Sequence, residues 1–588
     1  MSITFAKTFQ TTGRQLIERF SNEASNRQLI EAWIFADREK RQSIERSLLN
    51  AGVKAKVRSA YKPLLHFMLE DLNLNDSNLK KVEVFYPVHQ KTTENRFLLE
   101  AYPLAALTGK AEIVFHPDNS SDQQYRVVLH SRSGMHTEHK VFAPNHIHTD
   151  VINQEYLSPT GWLKVHDENG ELTTDERLET DFEQLFKCAL DVITKHNWTG
   201  REPFFERLSI DVELPWPDQS IGYEQENVSL TEALHEDLYF SLQEWFKVKA
   251  GYQPKDREGQ PGQIVPSVIH SQTDELTLTM RTQPYDMSES RHLQPIEAAT
   301  EPLSTHQIAQ ELAQIPGTEL DAHSISGRKI TARYHHGSDI PVMISGGQHA
   351  NETTGVIGAL RGALELSKKQ NSNFVISPLE NPDGYSLHQT LIKDNPFHMH
   401  HAARYTALGD DLEYRKKGPM YEKEIRFKAR EVSQAKLHIN LHGYPSHEWV
   451  RPFSGYVPLG FDMWTIPKGF FLILRHHPTD FWREYTLKFT ERLTEKLMGI
   501  PGVSELNQKQ VKLYNQHAGM TNFELINGFP CLISESKETD IPLQLITEYP
   551  DETIYGELFI QGHEVQKHTV VYAYEIHQQL MGELNSPS

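Results

Sequence analysis

Residues 342–352, with the sequence VMISGGQHANE, decide the fold of the C-terminal half of this chain. Residues 342–345 form a short apolar run and predict a buried strand, and the two glycines after it allow a sharp turn. Residues 353–366 are rich in Ala, Leu and Gly and predict a helix. His349 and Glu352 therefore lie between the carboxyl end of a buried strand and a helix.

The same pattern, an apolar run followed by polar residues, recurs at residues 374–377, 437–441 and 531–534. The first run is followed by the turn-forming sequence Asn-Pro-Asp-Gly-Tyr at 381–385, the second by His442 and the third by Glu535. In open α/β sheets, ligands bind just outside the carboxyl ends of the strands. The four segments therefore predict polar side chains that converge on one pocket.

His349, Glu352 and His442 make up the ligand set of a catalytic zinc site. Such a site takes three protein ligands from His, Glu and Asp and leaves the fourth position to water. His349 and Glu352 are three residues apart and can reach one ion together. His447, beyond a proline, is the alternative to His442 and is otherwise expected to contact substrate. We expect one zinc ion per chain, although the ligands also suit other first-row metals.

From about residue 305 to the C-terminus, these motifs resemble those of the zinc carboxypeptidases related to carboxypeptidase A. The resemblance implies an α/β fold with a carboxypeptidase-like mixed sheet flanked by helices, and it implies the three metal ligands named above. Glu535 is similar to the general base that activates the water. Arg404, downstream of the turn at 381–385, is similar to the arginine that stabilises the oxyanion. Tyr514 is similar to a tyrosine that contacts substrate.

Two of these assignments have alternatives in the sequence. Glu538 competes with Glu535, and Lys537 lies between them, so that either carboxylate is also consistent with a solvated surface charge. Glu535 is preferred because it directly follows the apolar run. Arg415 and Arg451 are the alternatives to Arg404.

The stretch 409–415, with the sequence GDDLEYR, departs from the family pattern. The family usually has an Asn-Arg pair here, which grips the terminal carboxylate of the substrate. Glu413 stands where the neutral amide is expected, and Arg415 is the displaced arginine. A carboxylate at this position predicts repulsion of a terminal carboxylate and a preference for a cationic or neutral group. The reaction is therefore better defined by the sequence than the substrate class.

Two other histidine-rich stretches, residues 397–401 and 136–148, have neither cysteine nor the spacing of a known zinc module. We expect their side chains to line a pocket or to meet solvent. The two cysteines, Cys188 and Cys531, lie far apart in apolar settings and are expected to be free thiols, which suits a reducing compartment.

Length and charge limit the classes of function. A chain of 588 residues is too long for one core and predicts two or three domains. The formal net charge of −20 argues against nonspecific binding to nucleic acid or to anionic membranes, and it favours cationic peptides. The N-terminus lacks the apolar core of a signal peptide, and no apolar stretch approaches the roughly 20 residues of a membrane span. A cytoplasmic location is expected.

Three segments follow from the pattern along the chain: a helical N-terminal segment at 1–75, an α+β domain at 76–290 and the catalytic domain at 305–588. The N-terminal half carries no recognisable chemistry. Its expected roles are to shape the pocket rim, to mediate oligomerisation or to select substrates. The oligomeric state is not predicted.

The resulting hypothesis is a zinc-dependent hydrolase of amide bonds, first of all a metallocarboxypeptidase that acts on small peptides. An amidase or deacylase acting on a modified amino acid or small metabolite is the alternative, and Glu413 is the residue that supports it. A binding or scaffold protein with an inactive site is disfavoured, because neither a metal ligand nor a candidate base is missing.

Overall fold

The structure is a computed structural model that describes residues 3–22, 29–120, 123–448 and 466–585. Its elements form an N-terminal region, residues 3–283, and a C-terminal region, residues 296–585. Each region has its own large apolar core. The first core consists mainly of residues between Ile3 and Met280, and the second consists of residues between Ile296 and Leu580. Met399, Ala402 and a few neighbours from the C-terminal region also join the first core, so the two regions pack together.

The N-terminal region is α+β. Its helices are α1 (Thr12–Asn22), α2 (Arg38–Asn50), α3 (Pro63–Glu70), α4 (Arg96–Glu100), α5 (Leu104–Leu107), α6 (Asp181–Lys195) and α7 (Leu230–Ala250). Its strands are β1 (Thr4–Gln10), β2 (Leu29–Ile34), β3 (Lys54–Ser59), β4 (Leu79–Pro87), β5 (Glu112–Asp118), β6 (Gln124–Ser131), β7 (His136–Phe142), β8 (Asn145–Thr149), β9 (Glu155–Pro159), β10 (Gly161–His166), β11 (Leu172–Leu178), β12 (Arg207–Leu214), β13 (Gln219–Ser220), β14 (Asn227–Val228), β15 (Gln263–His270) and β16 (Glu275–Gln283). The larger sheets have the orders β1-β16-β12-β15, β11-β10-β2-β3 and β5-β4-β6-β7.

The first 75 residues are not the separate helical segment that the sequence predicts. They contain β1, β2 and β3 as well as three helices, and β1 pairs with β16 while β2 pairs with β10. The stretch 29–34, with the sequence LIEAWI, was expected to be helical but is an interior strand of its sheet. A short apolar run suits a strand covered on both faces as well as a helix, so periodicity does not distinguish the two.

The C-terminal region contains one large mixed sheet. Its helices are α8 (Thr305–Ala313), α9 (Thr353–Leu366), α10 (Pro382–Leu391), α11 (His401–Arg404), α12 (Glu424–Ser433), α13 (Asp480–Met498), α14 (Val503–Ala518) and α15 (Glu557–Asn585). Its strands are β17 (Thr318–His323), β18 (Lys329–His335), β19 (Val342–Gly346), β20 (Phe374–Ser377), β21 (Leu437–Pro445), β22 (Phe471–His476), β23 (Glu524–Ile526), β24 (Phe529–Glu535) and β25 (Leu543–Glu552). Short 3-10 helices lie at Ile296–Ala298, Leu412–Tyr414 and Tyr421–Lys423.

This sheet has the strand order β17-β18-β20-β19-β21-β25-β22-β24-β23. Strands β20, β19, β21 and β25 are parallel to one another, whereas β18 is antiparallel to β20 and β22 is antiparallel to β25. Helices α9 and α15 pack together on one face, and α12 packs against β18, β19 and β20 with a smaller core on the other. The expected mixed sheet flanked by helices is confirmed, and the four predicted strands are β19, β20, β21 and β24.

The direction of β24 separates it from the other predicted strands. Because β22 is antiparallel to β25 and β24 is parallel to β22, β24 runs opposite to β21. Its carboxyl end therefore lies at the opposite edge of the sheet from the carboxyl ends of β19 and β21.

The predicted turn at 381–385 is the beginning of helix α10. Asn381 caps this helix, because its side-chain oxygen accepts a hydrogen bond of 2.9 Å from the backbone N–H of Gly384, and Pro382 occupies the first helical position. Cys188 and Cys531 are both free thiols. None of the described helices combines the length and the apolar content that a membrane crossing requires.

Candidate metal centre

His349, Glu352 and His442 meet in a buried cluster at the carboxyl edge of the central strands. The Glu352 carboxylate oxygens lie 2.8 Å from His349 Nδ1 and 2.8 Å from His442 Nδ1. The two Nδ1 atoms are 3.1 Å apart. One ligand atom from each of the three residues lies within 4.8 Å of the others, and all three side chains are buried. The structure thus brings together the three residues that the sequence predicts as ligands.

Strand pairing explains why these distant residues meet. Strand β19 pairs in parallel with β21, and Gly346 is opposite Leu441, so His442 is the next residue on the neighbouring strand. Gly347 then turns the chain with a φ of +60°, in the left-handed region that favours glycine. A Cβ at this position would approach Leu379 Cδ1 at 2.8 Å. This tight turn leads to His349 and to Glu352 at the beginning of α9.

The surroundings of the cluster fit a bound metal ion. His349 Nε2 lies 3.3 Å from Asp411 Oδ2, and the Gly443 backbone N–H donates to Glu352 Oε2 at 3.1 Å. A neutral imidazole has one donor and one acceptor nitrogen, so a metal ion at Nδ1 leaves the Nε2–H of His349 to donate to Asp411. Metal-binding histidines usually donate their second ring nitrogen to a carboxylate or carbonyl group in this way.

Arg404, at the end of α11, lies beside the cluster as the sequence predicts. Its guanidinium donates a hydrogen bond to Glu352 and lies 3.8 Å from the Glu552 carboxylate. Burial lowers the pKa of Arg404, but its acidic neighbours, with the Glu352 carboxylate first among them, together outweigh this effect and the pKa is raised overall. A permanent cation is therefore held next to the ligands. Of the alternatives, Arg451 lies outside the described residues.

Glu535 is not at the cluster, which corrects its assignment as the general base. It ends β24 at the opposite edge of the sheet, its side chain is 46% exposed, and it forms an ion pair with Arg483. Glu538 is 85% exposed and is likewise remote. The reversal of β22 and β24 relative to β21 moves both carboxylates away from the pocket.

A different carboxylate, Glu548 on β25, occupies the position expected of the base. It is opposite His442 in the parallel pairing of β21 and β25 and lines the same cavity as the two histidines. Its carboxylate makes no hydrogen bond or salt bridge within the described residues. Burial raises its pKa well above the usual range, and the nearby Glu352 carboxylate raises it further. Sequence reasoning missed Glu548, which follows residues 543–547 with the sequence LQLIT, because Gln544 and Thr547 interrupt the apolar run there.

Glu413 and Arg415, predicted to contact substrate, occupy different environments. Glu413 lines the cavity, and its carboxylate accepts a hydrogen bond of 2.8 Å from Arg426. Arg415 is buried and does not line this cavity, because Asp410 and Glu422 bind its guanidinium at 2.6 Å each. The expected repulsion by Glu413 is therefore countered by Arg426, and Arg415 is engaged in the protein interior.

The other two predicted substrate contacts, Tyr514 and His447, are buried away from the cavity lining. Tyr514 lies on α14 in a small apolar cluster that includes Tyr102 of the N-terminal region. His447 Nε2 lies 3.0 Å from the Glu232 carboxylate. Burial lowers the pKa of His447, but the carboxylates of Glu232, Glu226 and Glu448 together outweigh this effect and raise the pKa to about 9. Both residues therefore lie where the two regions pack together.

The cavity at the cluster has a volume of about 350 Å³, and both regions form its walls. The C-terminal region contributes the histidines, Arg404 and Glu548, whereas α7 of the N-terminal region contributes Phe240, Gln243 and Lys247. A loop at residues 255–257 also lines it. Shaping of the pocket, one of the three roles expected of the N-terminal half, is thus visible in the structure.

Two of the three histidines at 398–401 bind acidic side chains of the N-terminal region, and His400 Nε2 lies 2.9 Å from the Asn395 carbonyl oxygen. His401 Nδ1 lies 2.5 Å from Glu236 on α7, and His398 forms an ion pair with Asp218. In the part of the chain that the structure describes, only His349, Glu352 and His442 form a group of three candidate ligands.

No protein-family model matches this chain, and no curated protein matches it. Among solved structures, the chain is similar to a metallo-carboxypeptidase from Pseudomonas aeruginosa, with 15% identity, a TM-score of 0.28, and coverage of 53% of this chain and 73% of that one. A metallo-carboxypeptidase from Burkholderia cenocepacia gives 14% identity, a TM-score of 0.30, and coverage of 53% and 73%. A succinylglutamate desuccinylase/aspartoacylase from Rhodobacter sphaeroides gives 12% identity, a TM-score of 0.27, and coverage of 45% and 67%.

Proposed function

We propose that this protein is a zinc-dependent hydrolase of amide bonds, and first of all a metallocarboxypeptidase that acts on small peptides. One observation carries the proposal: the His349, Glu352 and His442 cluster shares a cavity with the Glu548 carboxylate, which has no hydrogen-bond or salt-bridge partner among the described residues. A hydrolase of this kind needs a metal ion and a base that both face the scissile bond. The resemblance of the sequence motifs to those of zinc carboxypeptidases gives independent support.

His349, Glu352 and His442 would hold the metal ion, which when bound polarises the amide carbonyl and lowers the pKa of a water molecule. Asp411 and the Gly443 backbone N–H keep His349 and Glu352 in the ligating orientation through the contacts described above. Because the ligands come from both β21 and the turn after β19, a rigid part of the sheet holds them.

Glu548 acts as the proton carrier in this proposal. Its carboxylate takes a proton from the attacking water and then passes it to the nitrogen of the leaving amine as the C–N bond breaks. A base that is hydrogen-bonded to other protein groups would have to exchange those bonds first. The absence of such a partner for Glu548 among the described residues keeps its carboxylate available.

Arg404 stabilises the negative charge that develops on the carbonyl oxygen. Its cation lies in the wall of the cavity and is anchored by Glu352 and Glu552. Loss of one oxyanion donor typically costs about 2.7 to 4 kcal/mol in the barrier. We expect an effect of this size for Arg404→Met in kcat, with a smaller effect on substrate binding.

An amidase or deacylase is the second candidate, and the environment of Arg415 favours it. This guanidinium is bound by Asp410 and Glu422, and Glu413 lines the cavity where the resembling family has a neutral amide. A terminal carboxylate would therefore have to be bound elsewhere in the cavity. The reaction and the proposed roles of Glu548 and Arg404 are the same in both candidates.

A mass-spectrometric digest tests the proposal. Protein with a measured content of one zinc ion per chain is incubated with free, N-acylated and C-amidated peptides, and the products are identified. Release of single C-terminal residues supports a carboxypeptidase, and release of the acyl group or the amide supports the second candidate. Glu548→Gln should abolish either reaction, whereas the matched variant Glu535→Gln should retain it. If zinc-loaded wild-type protein leaves all substrates intact, the proposal is refuted.

A further inference from the structure

One wall of the catalytic cavity changes character along paired positions of β22 and β25. Glu548, Ile546 and Gln544 alternate along β25, and Ile473 and Arg475 are opposite Ile546 and Gln544 on β22. All five residues line the cavity. Alternate residues of a strand face the same side of a sheet. The wall therefore has the proposed base Glu548 at one end, the apolar pair Ile546 and Ile473 in the middle, and Gln544 with Arg475 at the other end. The four residue steps from Gln544 to Glu548 span about 13 Å.

The polar end of this wall has unused binding capacity. The Arg475 side chain is 35% exposed, and the ion pair it forms, with Glu413, is long at 3.9 Å. That carboxylate already accepts a shorter hydrogen bond, 2.8 Å, from Arg426. Gln544 is buried, yet its side-chain amide forms no hydrogen bond within the described residues. Both side chains face the cavity and have N–H groups that can still donate hydrogen bonds. Such a pair is suited to bind a carboxylate.

Arg475 lies where two cavities meet. A second cavity of about 680 Å³ adjoins the first, and Glu413, Tyr414, Arg475 and Gln544 line both. Two other guanidinium groups of the second cavity are already bound by carboxylates, Arg415 by Asp410 and Glu422 and Arg426 by Glu380. Arg475 and Gln544 face both cavities and are the groups placed to bind an anion at this end of the wall.

We infer that Arg475, together with Gln544, binds a carboxylate of the substrate. The hydrolysed amide then carries an anionic group on the part that lies along this wall, and its methylene groups contact Ile473 and Ile546. Arginine presents paired N–H groups that match the two oxygens of a carboxylate. This inference rests on the proposed function for the identity of the reaction, and it replaces the preference for cationic groups that the sequence suggested from Glu413.

Two carboxylates fit this description: an acidic side chain or the terminal carboxylate of a peptide. Titration calorimetry on the zinc-loaded protein distinguishes these two carboxylates. The ligands are glutamate, glutamine and the α-amide of glutamate, and each is titrated uncleaved. Each amide lacks one of the two carboxylates of glutamate. Loss of affinity for glutamine assigns the side-chain carboxylate to Arg475, and loss of affinity for the α-amide assigns the terminal one.

The wild-type protein should bind glutamate about 10- to 100-fold more tightly than one of the two amides, as expected for a charge-assisted contact. Arg475→Met should remove this preference and bind glutamate as weakly as that amide, while Arg475→Lys should keep part of it. The control Lys416→Met changes a cation that lines only the second cavity and should leave the preference unchanged. Equal affinity of the wild-type protein for the three ligands, no saturable binding of glutamate, or a preference that survives in Arg475→Met would overturn the inference.

These titrations do not depend on turnover, so the two proposals fail separately. If the peptide digest shows no hydrolysis but the Arg475-dependent preference is present, the reaction is refuted and the anion site is supported. If hydrolysis occurs without the preference, the anion site is refuted and the reaction is supported. Glu548→Gln, which should not hydrolyse substrate, should retain the preference for glutamate.

Discussion

Replacement of Glu548 by glutamine gives the sharpest test of the proposed chemistry. The substitution keeps the shape of the side chain but removes its ability to accept a proton. A positioned general base contributes about 10²- to 10⁴-fold to a rate, which corresponds to about 2.7 to 5.5 kcal/mol in the barrier. We therefore expect kcat to fall by this factor in Glu548→Gln.

The same substitution should not lower stability, because Glu548 has no hydrogen bond or salt bridge to lose within the described residues. Burial and the Glu352 carboxylate, which raise the pKa of Glu548, disfavour its charged form, so the neutral glutamine should raise the unfolding free energy of the metal-free protein. In Glu535→Gln, loss of the solvent-exposed pair with Arg483 should change neither the stability measurably nor the activity. One variant is thus inactive but stable, and its control is active.

Steady-state kinetics on a substrate identified by the digest, with the zinc content measured for each variant, provide the rates, and denaturant titration provides the stabilities. Glu548→Gln with more than a tenth of the wild-type kcat would refute the assignment of the base. A hundredfold loss in Glu535→Gln at full zinc content would instead favour the carboxylate that the sequence indicated.

Three further predictions concern the surroundings of the site. Asp411→Asn should weaken zinc binding by about 10- to 100-fold in a competition assay with a chelator, because the ligating histidine loses its carboxylate partner; unchanged affinity would contradict this role. Lys62 and Glu448 form a buried ion pair between the two regions. Replacing either residue alone by an apolar one should lower the unfolding free energy by about 3 to 5 kcal/mol, and replacing both should lower it by less. Losses that simply add in the double variant would show that the two residues are not coupled. Because Glu232, Glu226 and Glu448 together raise the pKa of His447 to about 9, the stability from these contacts should be complete below about pH 6.5 and should be lost as the pH rises through 9. His447→Gln should flatten the dependence of unfolding free energy on pH in that window, and an unchanged profile would contradict the charge state.

Local sequence predicts the elements whose pattern is set by their own residues. Strands β19, β20 and β21 follow from apolar runs closed by polar residues, and α9 follows from the composition after the two glycines. The same runs also indicate the metal cluster, because parallel neighbours deliver their carboxyl ends to one edge of a sheet. His349 and His442, which are distant along the chain, could therefore be assigned to one site.

Sequence reasoning fails where the direction of a strand or its position in a sheet matters. Glu535 follows the more continuous apolar run, and Glu548 follows a run that Gln544 interrupts, yet the antiparallel pairing of β22 with β25 places Glu548 at the cluster and Glu535 at the opposite edge of the sheet. Likewise, the stretch 29–34 is compatible with a helix until β3 and β10 cover it on both sides.

The sequence by itself determined the chemistry that one short segment can supply: a strand, a glycine turn, and a histidine and a glutamate spaced to reach one ion. Such features depend on residues a few positions apart, where backbone geometry leaves few alternatives. The tertiary structure alone decided that Glu548 faces the cluster, that Arg475 ends the same wall and that α7 of the N-terminal region closes the cavity. These relations depend on strand direction and on the packing of two regions, which arise from contacts between residues far apart in the chain.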